Sequence, residues 1–171
     1  VWNFEEIVLG NKVIDTSGYR NRGTVNGATL EPGIQNNGNT GNALRFNGGE
    51  YVRVPNSTSI SNYSKGVTVE LWFNASRIDV QQGQFGQNGP GYLNFWMDSG
   101  TGYTRLRWET DDGQYLYSNT KISPNKWYHA VGVYNTANGK ASLFINGNLD
   151  SKESLTFNPL KTADIIIGGY R

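Results

Sequence analysis

Hydrophobic and polar residues alternate along this chain in short runs with a period of two. The clearest run is 67–74, where Val67, Val69, Leu71 and Phe73 fall on one face and Thr68, Glu70, Trp72 and Asn74 on the other. Such alternation predicts a strand with one face buried. Val1–Val8 reads as a first strand, and Ala43–Phe46 and Glu50–Val54 flank Asn47-Gly48-Gly49, a hairpin turn signal. Tyr92–Asp98, Tyr103–Thr110 and Gln114–Asn119 follow, with Asp111-Asp112-Gly113 as a tight turn between the last two. Lys126–Tyr134, Ala141–Ile145 and Asp164–Gly168 complete a set of about ten strands. No stretch longer than a few residues shows helical periodicity. The Gly/Asn-rich stretches 33–42 and 83–91 read as loops within one domain, residues 1–171. Short strands with turn punctuation predict an all-β sandwich or barrel.

Composition agrees with that picture. Hydrophobic residues make up only 36%, but five Trp, ten Tyr and seven Phe can fill a core that has few aliphatics. Fifteen basic and fourteen acidic residues leave a net charge of +1, which gives nothing to neutralise a run of phosphates and argues against nucleic acid. No stretch of ~20 apolar residues exists to span a bilayer as a helix. With no cysteine and one histidine, the sequence lacks a disulfide framework and a zinc ligand set. Asn47-Gly-Gly and Asn88-Gly-Pro-Gly91 precede no helix and are not phosphate cradles.

The candidate chemistry lies in the middle of the chain. On 93–98, Asn94, Trp96 and Asp98 form the face opposite Leu93, Phe95 and Met97. Arg105, Arg107 and Glu109 share one face of the next strand, and Tyr115 and Tyr117 one face of the strand after it. If the three strands are neighbours, Asn94, Trp96, Arg105, Arg107, Tyr115 and Tyr117 form one patch. Aromatic faces stack on the C–H surfaces of sugars and polar groups fix the hydroxyls, so this is the predicted ligand site. The bland alternative is a solvated outer face with snorkelling arginines. Tyr19 and Tyr63 lie in loops as candidate rim contacts, whereas Trp2, Trp72 and Trp127 are expected in the core.

Several segments, in order, resemble a known family. They are Asp15-Thr-Ser-Gly18 with Asn21-Arg-Gly-Thr24, Gly41-Asn-Ala-Leu-Arg-Phe-Asn-Gly-Gly-Glu-Tyr-Val52, and Val67-Thr-Val-Glu-Leu-Trp-Phe-Asn74. Lys126-Trp-Tyr-His-Ala-Val-Gly-Val-Tyr134 with Leu143-Phe-Ile-Asn-Gly147 is the strongest of the set. Together they resemble the laminin-G-like, concanavalin A-like jelly rolls. The resemblance implies two curved antiparallel sheets of about six strands each, in an extracellular or cell-surface protein. It implies a non-catalytic, lectin-like module that binds a polysaccharide or a glycoprotein glycan, as an accessory to a polysaccharide-degrading enzyme in some relatives. A structural or adhesive subunit of a filament, surface layer or virion is the alternative.

The resemblance carries further expectations. Relatives often hold one structural Ca2+, and the matching positions are Glu6, Gly48 and Asp164, with Asp15 expected as a turn former. His129 falls at a core position of the family signature and is expected to be partly buried with its hydrogen bonds met. Family 16 glycoside hydrolases share the general fold and carry Glu-x-Asp-x-Glu. Here Glu109-Thr-Asp-Asp-Gly113 lacks the second Glu, so Glu109 and Asp111 are expected to be solvated turn residues. Relatives also continue past a segment like Ile167–Arg171 into one more strand beside the first. That strand is therefore expected to be cut off here, or supplied by a neighbouring subunit by strand exchange.

Overall fold

A computed structural model of the chain describes residues 1–8, 10–36, 39–87, 93–100, 103–111, 113–158 and 162–169. Fourteen strands and no helix occur among them: β1 (Lys12–Val13), β2 (Gly23–Asn26), β3 (Thr29–Asn36), β4 (Asn39–Arg45), β5 (Tyr51–Val54), β6 (Val67–Asn74), β7 (Gln82–Gln87), β8 (Asn94–Gly100), β9 (Tyr103–Asp111), β10 (Gln114–Lys121), β11 (Trp127–Asn135), β12 (Lys140–Ile145), β13 (Asn148–Ser154) and β14 (Ile165–Ile167). They form two antiparallel sheets packed as a jelly-roll sandwich. The larger runs β1-β2-β5-β14-β7-β8-β9-β10 and the smaller β13-β12-β11-β6, while β3 and β4 pair as a separate ribbon. The division is thus eight and four, not the about six and six that the resemblance implies.

The inward faces meet in a continuous core. Phe95, Met97, Leu106 and Trp108 of the larger sheet are fully buried, packed with Ala130, Ala141 and Leu143 of the smaller. Phe85 of β7 joins this cluster to a second one built on Val13, Val25, Val52, Val54 and Ile165. Gly132 of β11 has a structural reason. A Cβ there would lie 2.5 Å from Trp108 Cδ2 and 2.7 Å from Phe95 Cζ, so only glycine lets the two rings press against the strand.

Several expectations from the alternation are corrected. Residues 1–8 form no strand, only isolated bridges from Trp2 to Asp15 and from Val8 to Lys12. Phe4 has a left-handed φ of 56°, which breaks the extended run. Asn47–Gly49 is not a hairpin turn, because β4 pairs with β3 and β5 with β2 and β14. With Gly48 and Gly49 at φ 106° and 87°, it is a corner between ribbon and sheet. The stretch read as a loop at 33–42 lies largely in β3 and β4, and that at 83–91 begins in the central strand β7. Residues 88–91, Tyr92 and Asp112 lie outside the described residues. In β7, Gly86 fits because a Cβ would meet Asn94 Oδ1 at 2.1 Å.

Trp72 and Trp127 are also corrected. Trp72 is 55% exposed on the outer face of the smaller sheet, and Trp127 is half-buried on the same side. Trp72 stacks on His129, with ring centroids 4.7 Å apart. His129 Nε2 lies 2.8 Å from Glu70 Oε1, which meets its expected hydrogen bond. Trp2 packs on the core, and its indole N–H donates to the Asn21 carbonyl at 2.6 Å. Asp15 is the expected turn former. It accepts from the Val1 ammonium at 2.7 Å, from the Ser17 amide and hydroxyl and from the Asn21 amide; burial pushes its carboxyl up, but these bonds, the ammonium's first, hold it well below the usual range.

Candidate glycan-binding face

Strict alternation on β8, β9 and β10 builds the site. Phe95, Met97, Leu106, Trp108 and Leu116 point into the core, which commits the residues between them to the outer face. Antiparallel pairing then aligns those residues in three rows. Asn94 lies opposite Glu109, and Glu109 opposite Tyr115. Trp96 lies opposite Arg107, and Arg107 opposite Tyr117. Asp98 lies opposite Arg105, and Arg105 opposite Lys121. All six residues of the predicted patch are thus brought to one face.

Arg107 sits at its centre. Its guanidinium is 5.8 Å from the centroid of the Trp96 ring and 5.3 Å from that of Tyr115. It pairs with Asp98 at 3.1 Å and with Glu109 at 3.5 Å. The Tyr117 hydroxyl donates to Asp98 Oδ2 at 2.9 Å, and Gln81 donates to Oδ1 at 2.9 Å. Burial, with the Asp98 carboxylate beside it, pushes the Tyr117 phenol up. Arg107 is therefore not a snorkelling arginine; its side chain is only 21% exposed, and it is pinned by two carboxylates and two rings. Pinned in this way, it offers donors at fixed positions without losing rotamer freedom on binding.

The rings remain partly open to solvent. Tyr115 and Tyr117 are each somewhat over a third exposed and meet edge to face at 5.3 Å. Trp96 is half-buried, and it lies across the ladder from Gly83, where a Cβ would touch the indole at 3.9 Å, an ordinary contact. Beside it, Gly83, Gly86, Asn94, Ile166, Gly168 and Gly169 line a shallow cleft of about 30 Å³, room for a hydroxyl or one water rather than a whole sugar.

Sequence reasoning missed part of this machinery. Glu109 is not a solvated turn residue: it lies within β9, 7% exposed, ion-paired to Arg107 and accepting from Asn94 Nδ2 at 3.3 Å. The same i, i+2 spacing that selected Arg107 also selects Asp98 and Glu109, so the signal was present. Tyr63 is no rim contact; it is buried in the core, its hydroxyl accepting from Gln87 Nε2 at 2.9 Å, and burial pushes its phenol up to about 12. Tyr19 is exposed in its loop.

The calcium positions lie apart from this face. Gly48 is in the corner before β5, and Glu6 is exposed in the N-terminal segment. Asp164 pairs with Arg53 at 2.6 Å and accepts from the Asn56 amide at 2.8 Å. Burial alone would push the Asp164 carboxyl up, but these donors hold it below the usual range. Arg53 and the Asn56 amide thus take up both oxygens of Asp164. No three His, Cys, Asp or Glu side chains gather to hold a metal among the described residues.

Known proteins share this fold. The fourth domain of AbnA, an extracellular arabinanase of Geobacillus stearothermophilus, solved in complex with arabinotriose, superposes with a TM-score of 0.63 at 19% identity, covering 91% of this chain and 77% of that one. The CBM40 of a Ruminococcus gnavus sialidase, solved with α2,3-sialyllactose, gives 0.52 at 13% identity over 66% of this chain and 67% of its own. A botulinum neurotoxin type C structure, described as entering cells through two ganglioside molecules, gives 0.60 at 14% identity over 91% of this chain and 40% of that one. At these identities the likeness is one of fold. No curated protein matches the sequence. The model of one family matches residues 46–171, nearly three-quarters of the chain, and on that match the chain belongs to the laminin-G-like concanavalin A-like lectin/glucanase superfamily.

Proposed function

We propose that this chain is a non-catalytic, lectin-like module of an extracellular or cell-surface protein, and that it holds a polysaccharide or glycoprotein glycan on the outer face of β8–β10. The observation that carries the reading is the row Trp96–Arg107–Tyr117, in which a rigidly held guanidinium lies between partly open aromatic rings. Rings of this kind present flat apolar surface to the C–H face of a sugar, and Arg107, Asn94 and Glu109 offer fixed donors and acceptors to its hydroxyls. Relatives of the same fold solved with arabinotriose and with sialyllactose support it.

Catalysis has no comparable support. Asp98 and Glu109, the acids of this face, are both tied to Arg107 and to neighbouring amide or phenol groups. That suits a holding site, not a proton donor set opposite a nucleophile. A structural or adhesive role is the second reading, favoured by the exposure of Trp72 and Leu149 on the smaller sheet. A glycan array distinguishes the two. Binding that Trp96→Ala removes and Trp72→Ala spares supports the glycan module. Silence of the intact protein across plant, algal, bacterial and host glycans supports the adhesive role.

A further inference from the structure

Charge is unevenly distributed over the β8–β10 face. Arg107 is shared by the two carboxylates, and the Asp98 oxygens also accept from Gln81 and Tyr117. Arg105 stands directly across the ladder from Asp98, yet among the described residues neither Arg105 nor Lys121 forms an ion pair. Both cations converge on one ring instead. The Arg105 guanidinium lies 4.6 Å and the Lys121 ammonium 5.7 Å from the Tyr103 centroid. Arg105 Nε is buried there without a hydrogen-bond partner. Two like charges on one ring, one of them with an orphaned donor, repel each other and lack a counter-charge.

This pairing comes from a bulge. After Tyr117 pairs with Arg107, regular alternation would bring Asn119 opposite Arg105. The register instead shifts, and Lys121 takes that place. The extra residues, Asn119 and Thr120, turn away and donate to the Asp150 carboxylate of β13. A neutral amide is thereby replaced by a second cation.

We infer that Arg105 and Lys121, flanking Tyr103, form an anion subsite at one end of the aromatic platform, and that the glycan held on this face is acidic, with a carboxylate or sulfate facing that subsite. The inference rests on the proposed reading of this face. Arg105 and Arg107 are two residues apart on β9, roughly 7 Å along the strand. A sugar stacked at Trp96 and Tyr117 would therefore bring its own substituent, or that of the adjoining unit, to Arg105. The guanidinium offers parallel donors to two oxygens of such a group, and the ammonium adds a point charge.

The test uses the whole chain on an array that carries matched pairs: oligogalacturonate and its methyl ester for the carboxylate source, chondroitin sulfate and its desulfated form for the sulfate source, sialyllactose and lactose, and neutral arabinans and glucans. Arg105→Gln, Lys121→Glu and Trp96→Ala are run beside the parent, with thermal melts to verify folding. Lys121 is exposed, so its variant keeps the test valid if the Arg105 variant folds poorly. The expected result is binding to acidic members only, weakened about tenfold or more by each of the three substitutions and reduced by added salt. Binding of neutral glycans that Trp96→Ala abolishes and both charge variants leave unchanged would overturn the anion subsite while keeping the glycan reading. Acidic binding indifferent to Arg105 and Lys121 would also overturn it. No binding by the intact protein, or binding indifferent to Trp96, would overturn both.

Discussion

At the scale of single residues, the proposed binding face gives Arg107 and Trp96 different expected roles. Replacing Arg107 leaves Asp98 and the buried Glu109 without the cation they share. Arg107→Gln is therefore expected to destabilise the domain by about 1–3 kcal/mol as well as weaken binding. Chemical denaturation should show that loss. Trp96→Ala should remove binding while the fold persists, because no buried charge is left behind. Trp96 was legible in the sequence because it alternates with core residues. Trp72 was misjudged although it too lies on the polar side of a clean alternation: aromatic bulk suggested the core, but position on the pleat decides which way a side chain points.

Tyr63 gives a second prediction at this scale. Its phenol is raised from 10 to about 12 by burial, so the unfolded chain ionises it first. The stabilising effect is fully present below pH 10 and is lost as pH rises from 10 through 12, amounting to roughly 2–3 kcal/mol. Tyr63→Phe forfeits the bond from Gln87, about 1 kcal/mol near neutral pH. The stability gap between parent and variant should therefore narrow and reverse above pH 10. A gap that stays constant to pH 12 would contradict the burial of this hydroxyl as an ionisable group.

At the scale of elements, glycine placement explains both what the sequence hid and what it can tolerate. β7 (sequence Gln-Gly-Gln-Phe-Gly-Gln) has one large apolar residue; Gly86 makes room for Asn94, and a Cβ at Gly83 would press on the Gly169 carbonyl at 3.0 Å. A strand whose outer face is left empty for a neighbouring strand's side chains carries no alternation to read. β3 contains Pro32 and pairs only with β4, the edge-type setting in which proline is tolerated, and it was missed for the same lack of pattern. Gly132→Ala should cost about 1–3 kcal/mol or more, because its Cβ would meet two fully buried rings that have nowhere to move. A melting temperature within a degree of the parent would argue against this packing. The bulge in β10 could not be foreseen either, since nothing in Ser-Asn-Thr-Lys announces the shift that brings Lys121 to Arg105.

At the scale of the whole molecule, the two sheets are held together by their core and by polar clamps between distant segments. Asp150 of β13 accepts from the amides of Asn119 and Thr120 on β10, joining the edges of the two sheets. Asp150→Ala is expected to lower the unfolding free energy by about 1–3 kcal/mol and, through the bulge, to weaken binding of acidic glycans. On the far side Arg53 and the Asn56 amide hold Asp164, a position at which the resemblance implies calcium. Adding a chelator should leave the melting temperature unchanged; a fall in melting temperature that Asp164→Ala abolishes would place a cation there after all. The proposed binding face is also part of the fold's support, since Phe95, Leu106 and Trp108 anchor its strands from beneath.

The most direct test of the account is a crystal structure of the domain with the oligosaccharide it binds best on an array. The expected result is a sugar ring stacked on the β8–β10 face, within hydrogen-bond distance of Arg107, and an acidic group of the ligand at Arg105 and Lys121. A sugar seated instead on the opposite sheet near Trp72, or in the loops with the β8–β10 face bare, would contradict it.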